Sequence, residues 1–333
     1  MSFWDDLPIK TLCISHNRDV DGIASAALMK SLTNCEIKLI DYGELIETLK
    51  SVDGINNLFI CDLGLSRDIE LPFLEEVKKI RKIAGICYVD HHPMHESLRQ
   101  RLSEEGVRVI HSTEECTAVI NYQLHSQKLP PEAGLLAACA AVTDRIESGK
   151  TSKKLLQRFD RDLVLFEAGL LSYAIAGRGD NPGFLNKLTE ELSSFKAPHQ
   201  IEHLCEDASD YAQKMLDLIR RIPQEGKKLQ NCAYIETSER SLGSVANFLI
   251  GEFDVPVGIA YKYKPETSEC VVSLRSMDGV AVNLGQITSK VSSIFDGNGG
   301  GHANASGAIV PKDKIRDFLI RLDSELVIKT ETR

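Results

Sequence analysis

The chain has 333 residues, 43% hydrophobic and 26% charged. That is ordinary globular composition, which excludes a disordered tail, a collagen-like fibre and a small disulfide scaffold; at roughly 100–200 residues per domain it predicts two domains. Thirty-nine Lys and Arg against 48 Asp and Glu give a net charge of −9, which argues against tight binding of long duplex nucleic acid. No apolar run approaches the ~20 residues of a membrane span, and the opening MSFWDDLPIK lacks the basic and apolar regions of a secretory signal, so a cytoplasmic location is expected. The nine cysteines are odd in number and scattered, with no C-x-x-C pair; they read as reduced, mostly buried small hydrophobes.

In chain order, apolar runs at Ile9–Ser15, Ile37–Asp41, Leu58–Cys61, Ile83–Val89 and Val107–Ile110 alternate with helical patterns at Gly22–Leu32 and Glu70–Arg81. Helical patterns at Glu114–Gln127 and Ala133–Val142 follow. This alternation predicts an α/β fold with a parallel sheet and crossover helices. From Thr151 to about Lys228 the pattern is helical, interrupted at Gly177–Gly183 (GRGDNPG), with a long amphipathic helix over Ile201–Ile222 closed by Pro223 and Gly226. A second, smaller α/β region begins near Gln230. It reads as a strand at Ala233–Glu236, a helix at Leu242–Glu252, a hairpin of Val257–Tyr263 with Cys270–Arg275, and a helix at Leu284–Ile294. The loop GNGGGHANASG, a short strand and a last helix from Asp313 to about Leu326 complete it. The expected domains are 1–195, a helical connector over 196–228, and 229–333.

Polar residues gather where the first strands should end, and ligands of open α/β sheets bind outside those carboxyl ends. His16, Asp19 and Asp21 in SHNRDVDG follow the first strand. One helix cap needs one Asp, so two acids plus an imidazole favour a hard or borderline metal such as Mn²⁺, Mg²⁺ or Zn²⁺. Asp62 in CDLG is an ordinary strand-to-turn acid by itself. Asp90-His91-His92-Pro93 places two imidazoles in one turn. Asp144, at the end of a very apolar helix, opposes the helix dipole, a conflict that a metal or Arg145 would resolve. In the second region, Gly299, Gly300 and Gly301 allow close backbone approach to an anion, His302 offers a ring, and Arg275 is a candidate phosphate clamp.

Together these motifs resemble the DHH phosphoesterases, with SHNRDVDGIASA, CDLG, VDHHP and TDRIESG as their four motifs. GGGHANASGA, preceded by SLRS, is similar to the signature of the C-terminal DHH-associated domain of type 1. RecJ-like exonucleases, oligoribonucleases (nanoRNases) and phosphatases of 3′-phosphoadenosine 5′-phosphate belong to that group. The resemblance implies an active site in an interdomain cleft with two divalent ions, Mn²⁺ first and Mg²⁺ as the alternative. His16 and Asp19 would bind one ion, Asp21, His91 and Asp144 the other, and Asp62 both. Asp90 would support His92, which would contact the scissile phosphate, while Arg275, Gly299–Gly301 and His302 would hold the terminal nucleotide. Asn304 and Ser306 depart from the small residues frequent there, and GRGDNPG matches no family motif.

The expected activity is hydrolysis of short single-stranded oligonucleotides by a hydroxide held between two metals, with 3′-phosphoadenosine 5′-phosphate as a further substrate. Cyclic or linear dinucleotides are the alternative substrates. A nucleotide- or nucleic-acid-binding module without catalysis is the rival of another class, disfavoured because acids stand at all four motifs. No membrane partner is expected; a homodimer is compatible with the sequence, which selects no oligomeric state.

Overall fold

Strand β1 (Thr11–His16) buries Leu12, Cys13 and Ile14 and delivers His16 at its carboxyl end. The computed structural model describes residues 10–326 apart from 240, 278 and 281, so Ile9, expected to open this strand, lies outside the described residues. The chain divides into two compact units, residues 1–211 and 212–333.

In the first unit β1 is followed by α1 (Val20–Thr33), β2 (Glu36–Ile40), α2 (Leu45–Lys50), β3 (Asn57–Cys61), α3 (Glu70–Ile80), β4 (Gly85–Asp90), α4 (Glu96–Glu104) and β5 (Arg108–His111). The five strands form one parallel sheet in the order β2-β1-β3-β4-β5. Leu45, Leu49, Phe73, Val77, Leu98 and Leu102 of α2, α3 and α4 pack with Ile14, Ile60 and Ile86 of the sheet. Helix α1 shares a second core instead with α5 (Thr117–His125), α6 (Ala133–Thr143), α7 (Lys150–Arg158), α8 (Arg161–Arg178) and α9 (Pro182–Ser193). Strand order reverses between β1 and β3, and in a sheet of this order the crevice at that switch point is where ligands bind. Ser15 pairs with Cys61 and Cys61 with Val89, so His16, Asp62 and Asp90 emerge level at one edge.

The sequence reading did not identify α2 or α4. The first is six residues long, and the second buries only Leu98 and Leu102, too short a stripe to stand out from its charged neighbours. The GRGDNPG segment is the turn between α8 and α9. There Asn181 accepts from the Gly183 and Phe184 amides to cap α9, and Pro182 fills its first position.

Helix α10 (Leu204–Glu225) runs past Pro223 to Glu225, three residues beyond the expected end, and the unit boundary falls within it. The second unit holds β6 (Lys227–Lys228), β7 (Cys232–Glu236), α11 (Leu242–Phe253), β8 (Val257–Lys264), β9 (Glu269–Ser276), α12 (Leu284–Ile294), β10 (Asn298–Gly301), β11 (Ala305–Pro311) and α13 (Ile315–Glu325). Its sheet runs β10-β11-β9-β8-β7-β6 and is mixed, β7 and β8 being parallel. The glycine run expected to be a loop is therefore an edge strand: Gly299, Gly300 and Gly301 pair with Ala308, Gly307 and Ser306. Glycine has low strand preference, and tertiary pairing overrides it here. Among the described residues no cysteine forms a disulfide, and Cys205 departs from expectation by being exposed. Among the described residues no helix is long and apolar enough to cross a membrane.

Candidate metal centre and substrate-binding residues

The first unit gathers all six acids and imidazoles that the sequence singled out as ligands. His16 leaves β1, and its Nδ1 lies 2.9 Å from Asp19 Oδ2 and 3.7 Å from Asp62 Oδ2. His91 follows β4, and its Nε2 lies 3.2 Å from Asp144, 3.3 Å from Asp62 and 3.8 Å from Asp21. Ligand atoms of His16, Asp19 and Asp62 lie within 4.8 Å of one another, as do those of Asp21, His91 and Asp144, and those of Asp62, His91 and His92. Asp62 is common to the first and third groups.

Local structure fixes each side chain. Asp19 caps α1 by accepting from the Gly22 amide at 3.0 Å with Oδ1, leaving Oδ2 toward His16, so one residue both caps and faces the cluster. A Cβ at Gly22 would run into the His16 carbonyl, which is why the motif needs glycine there. Asp21 is fully buried and accepts from the Thr117 and Ala118 amides at 2.8 and 2.7 Å. Asp62 is held at φ 58°, a left-handed conformation that Asp tolerates better than most side chains, and accepts from Thr117 Oγ1 at 3.2 Å. Asp144 is the C-cap of α6.

The carboxylates are too close to ionise independently. Burial, reinforced by Asp62, pushes Asp21 up to about 7. Asp144 is raised by burial and by Asp21 and Asp19. Burial works against the charge of His91, but Asp62, Asp21 and Asp144 outweigh it and raise this group to about 10. Burial likewise opposes ionisation of Asp62, whose bonds to His16 and His91 prevail and hold it well below the usual carboxylate range. Both ring nitrogens of His16 and Oδ2 of Asp144 are buried without a hydrogen bond of normal geometry. A mixed nitrogen and oxygen donor set, crowded carboxylates and inward-facing buried atoms without such bonds fit divalent cations.

Beside this cluster His92 is bonded through Nδ1 to Asp90 at 2.9 Å and through Nε2 to the Tyr42 hydroxyl at 3.1 Å. Tyr88 donates to Asp90 Oδ2 at 3.1 Å. The Tyr42 ring also packs on His16, with centroids 4.3 Å apart. Gly64 completes the fit: a Cβ there would lie 2.7 Å from His92 Cγ. Tyr42, Thr117 and Tyr88 were missed in the sequence because none belongs to an acid or imidazole motif. The one available signal was position, Tyr42 standing just past the end of β2.

In the second unit, Arg275 on β9 pairs with Ala305 on β11, so the arginine and the glycine-rich segment are neighbours in one sheet. Its guanidinium donates to Ser273 Oγ at 3.1 Å and to the Leu274 carbonyl at 2.9 Å. Helix α11 approaches it so closely that a Cβ on Gly243 would overlap the guanidinium. His302 donates its amide to Ala305 in the β10–β11 turn, and Gly301 has φ 132°. Ser306 bonds buried Thr288 at 2.8 Å, so this departure from small residues is accommodated inside the fold.

The first unit thus presents an open parallel sheet with a buried carboxylate–imidazole cluster at its switch point. Residues 227–327 match the DHHA1 domain family. An uncharacterised protein of Methanocaldococcus jannaschii is 33% identical over 178 residues, 52% of this chain; the chain spans only 38% of that relative's length. Among solved structures, a DHH domain described as coming from a member of a family of ribosomal proteins superposes with a TM-score of 0.73 at 15% identity, covering 97% of this chain and 88% of its own. RecJ from Thermus thermophilus, in complex with Mn²⁺, gives 0.64 at 14% identity, covering 95% and 52%. A pGpG-specific phosphodiesterase from Vibrio cholerae gives 0.55 at 16% identity, covering 95% and 98%. At these identities the structural likeness is one of fold. Residues 227–327 thus carry the match to the DHHA1 domain family, and the fold is that of the DHH-domain structures it superposes on.

Proposed function

We propose that the protein is a divalent-metal-dependent phosphoesterase that hydrolyses short single-stranded oligonucleotides from an end. The observation that carries this reading is the pair of three-residue clusters, with Asp62 in one and beside His91 of the other, next to a histidine bonded at both nitrogens. His16 and Asp19 would hold one ion, Asp21, His91 and Asp144 the second, with Asp62 shared; Mn²⁺ is the first choice and Mg²⁺ the second. When bound, such ions activate water and neutralise charge on phosphoryl oxygens.

The remaining chemistry belongs to side chains. Burial opposes protonation of His92, but Asp90 outweighs it and raises the ring's pKa, so Nε2 is suited to donate to a phosphoryl or leaving oxygen. Burial and the surrounding carboxylates keep the Tyr42 phenol protonated, and its bond to Nε2 sets the orientation of the His92 ring. Arg275, Gly299–Gly301 and His302 would bind the terminal nucleotide, with bidentate guanidinium contact to phosphate. A linear dinucleotide, the kind of substrate named for the Vibrio cholerae enzyme, falls within this class.

The test is incubation of end-labelled oligonucleotides of graded length with Mn²⁺ or with EDTA, alongside 3′-phosphoadenosine 5′-phosphate and a chromogenic phosphodiester. Metal-dependent release of mononucleotides from short strands is expected. A folded protein that turns over none of these substrates with metal would instead be a binding module.

A further inference from the structure

A groove of about 360 Å³ lies on the first unit between the later part of α5 and one face of α7. Tyr122, Gln123 and Ser126 form one wall; Lys150, Lys154 and Arg158 form the other, with Thr151 and Leu155 between them. The three cations stand at i, i+4 and i+8, so they line up at a rise of about 6 Å per step. Residues 148–159 contain no acid. Among the described residues none of these three cations makes an ion pair, in a chain where acids outnumber bases 48 to 39 and cations such as Arg18, Lys30, Arg161 and Arg178 are paired.

This charge placement works against the start of the helix. Lysines at 150 and 153 oppose the dipole in the first turn of α7, where no acid lies, while Arg158 in the last turn favours it. The helix start is secured otherwise: buried Glu115 accepts from the Thr151 and Ser152 amides and from Ser152 Oγ. A cationic row whose first member opposes the helix dipole, and that lines up opposite an aromatic ring, is suited to a polyanion with stackable bases. The same segment leads to the metal cluster, since Thr117 bonds both Asp21 and Asp62. Tyr122 lies about 8 Å further along α5.

We infer that this groove binds the phosphodiester backbone of a single-stranded oligonucleotide beyond the residues nearest the metal cluster. The inference rests on the oligonucleotide reading above and adds a second site to it. The spaced cations favour a strand over an isolated phosphate, because they run along a line rather than converging on one point.

The test uses the full chain and a fluorescein-labelled oligothymidylate of about ten residues, followed by anisotropy in EDTA so that no turnover intervenes. The variants are the triple substitution Lys150→Gln, Lys154→Gln, Arg158→Gln, and as control Lys153→Gln, which removes a charge outside the groove. The triple variant is expected to bind at least about tenfold more weakly, with a log–log salt slope flatter by about 2, from roughly 0.7 per phosphate contact on single strands. The control should bind like the parent, and turnover of a chromogenic diester should be equal in all three proteins. Unchanged affinity and slope in the triple variant, or a loss as large in Lys153→Gln, overturns the groove. A polyglutamate peptide that displaces the strand at equal charge concentration assigns the groove to acidic protein instead and overturns the strand reading. If the parent protein turns over no phosphoester with Mn²⁺, the enzymatic reading fails, while the anisotropy still decides the groove.

Discussion

The Tyr42 hydroxyl stands 3.1 Å from Nε2 of His92, and Asp90 stands 2.9 Å from Nδ1 of the same ring. Both nitrogens are thus committed, and the ring plane is set by two elements, the segment after β2 and the end of β4. Removing the phenol oxygen leaves Nε2 without this bond, the ring still resting on Asp90, Gly64 and the His91 ring. Tyr42→Phe is expected to lower kcat about tenfold, the worth of one hydrogen bond of about 1–1.5 kcal/mol, without changing Mn²⁺ affinity. His92→Ala should cost more, about 10²–10⁴-fold, as loss of a proton donor does. Metal titrations followed by kcat separate the two roles. A Tyr42→Phe variant with full kcat would show that the phenol is only packing.

Asp62 combines two demands. It faces both histidines, at 3.7 Å from His16 and 3.3 Å from His91, and it holds a left-handed backbone that costs most residues about 1–2 kcal/mol. Asp62→Ala would therefore mix strain with lost chemistry. Asp62→Asn keeps the shape and tolerates the backbone, so it is the cleaner test. Turnover is expected to fall below detection and metal binding by calorimetry to weaken sharply, while the protein stays folded in EDTA with a lowered melting temperature, because the ionised carboxylate's pairing with His16 and His91 is lost. Substantial residual turnover would remove Asp62 from the shared position.

Much of this was legible in the sequence, for a physical reason. A parallel strand buried on both faces writes a short apolar run, and the next polar residue marks its carboxyl end, which is how His16, Asp62 and Asp90 could be placed at one edge. The sequence could not show which rings touch. Tyr42 reaches His92 across fifty positions, and Thr117 reaches both Asp21 and Asp62 from a helix start whose residues look like core. The glycine run misled because glycine signals a loop by propensity, whereas its pairing with β11 depends on residues downstream. The groove beside α7 was hidden for the opposite reason: a lysine-rich helix reads as solvated surface until its neighbours are known.

Protons and metal compete for the same ligands. Asp21 at about 7 and His91 at about 10 both lie above their unfolded values of roughly 3.9 and 6.5. Each contributes stability that is complete below its unfolded value and disappears as pH rises, for Asp21 between about 4 and 7 and for His91 between about 6.5 and 10. Asp62 has the opposite sign, its contribution being lost only as pH falls below the usual carboxylate range. In EDTA the contribution of Asp21 and His91 to the melting temperature should therefore decline from mildly acid to alkaline pH. Metal requires the deprotonated ligands, so the gain from Mn²⁺ should grow over the same interval. Melting curves with and without Mn²⁺ at about pH 6 and about pH 8.5 measure this. A gain independent of pH would mean that these groups do not bind the ion.

Arg275 offers a test confined to the second unit. Its guanidinium is steadied by Ser273 and Leu274, and α11 comes so near that a Cβ at 243 would push the guanidinium aside. If this group holds the terminal nucleotide, Arg275→Ala should raise KM for a dinucleotide by about tenfold or more, a charged hydrogen bond contributing about 1.5–3 kcal/mol. His302→Ala should act in the same direction. A small chromogenic ester makes no such contact, and its kcat and KM should stay near the parent values. Gly243→Ala, which displaces the guanidinium without removing it, should reproduce the dinucleotide defect in milder form. Steady-state kinetics on both substrates decide the matter, because equal losses on ester and dinucleotide would mean that Arg275 supports the fold and does not grip the substrate.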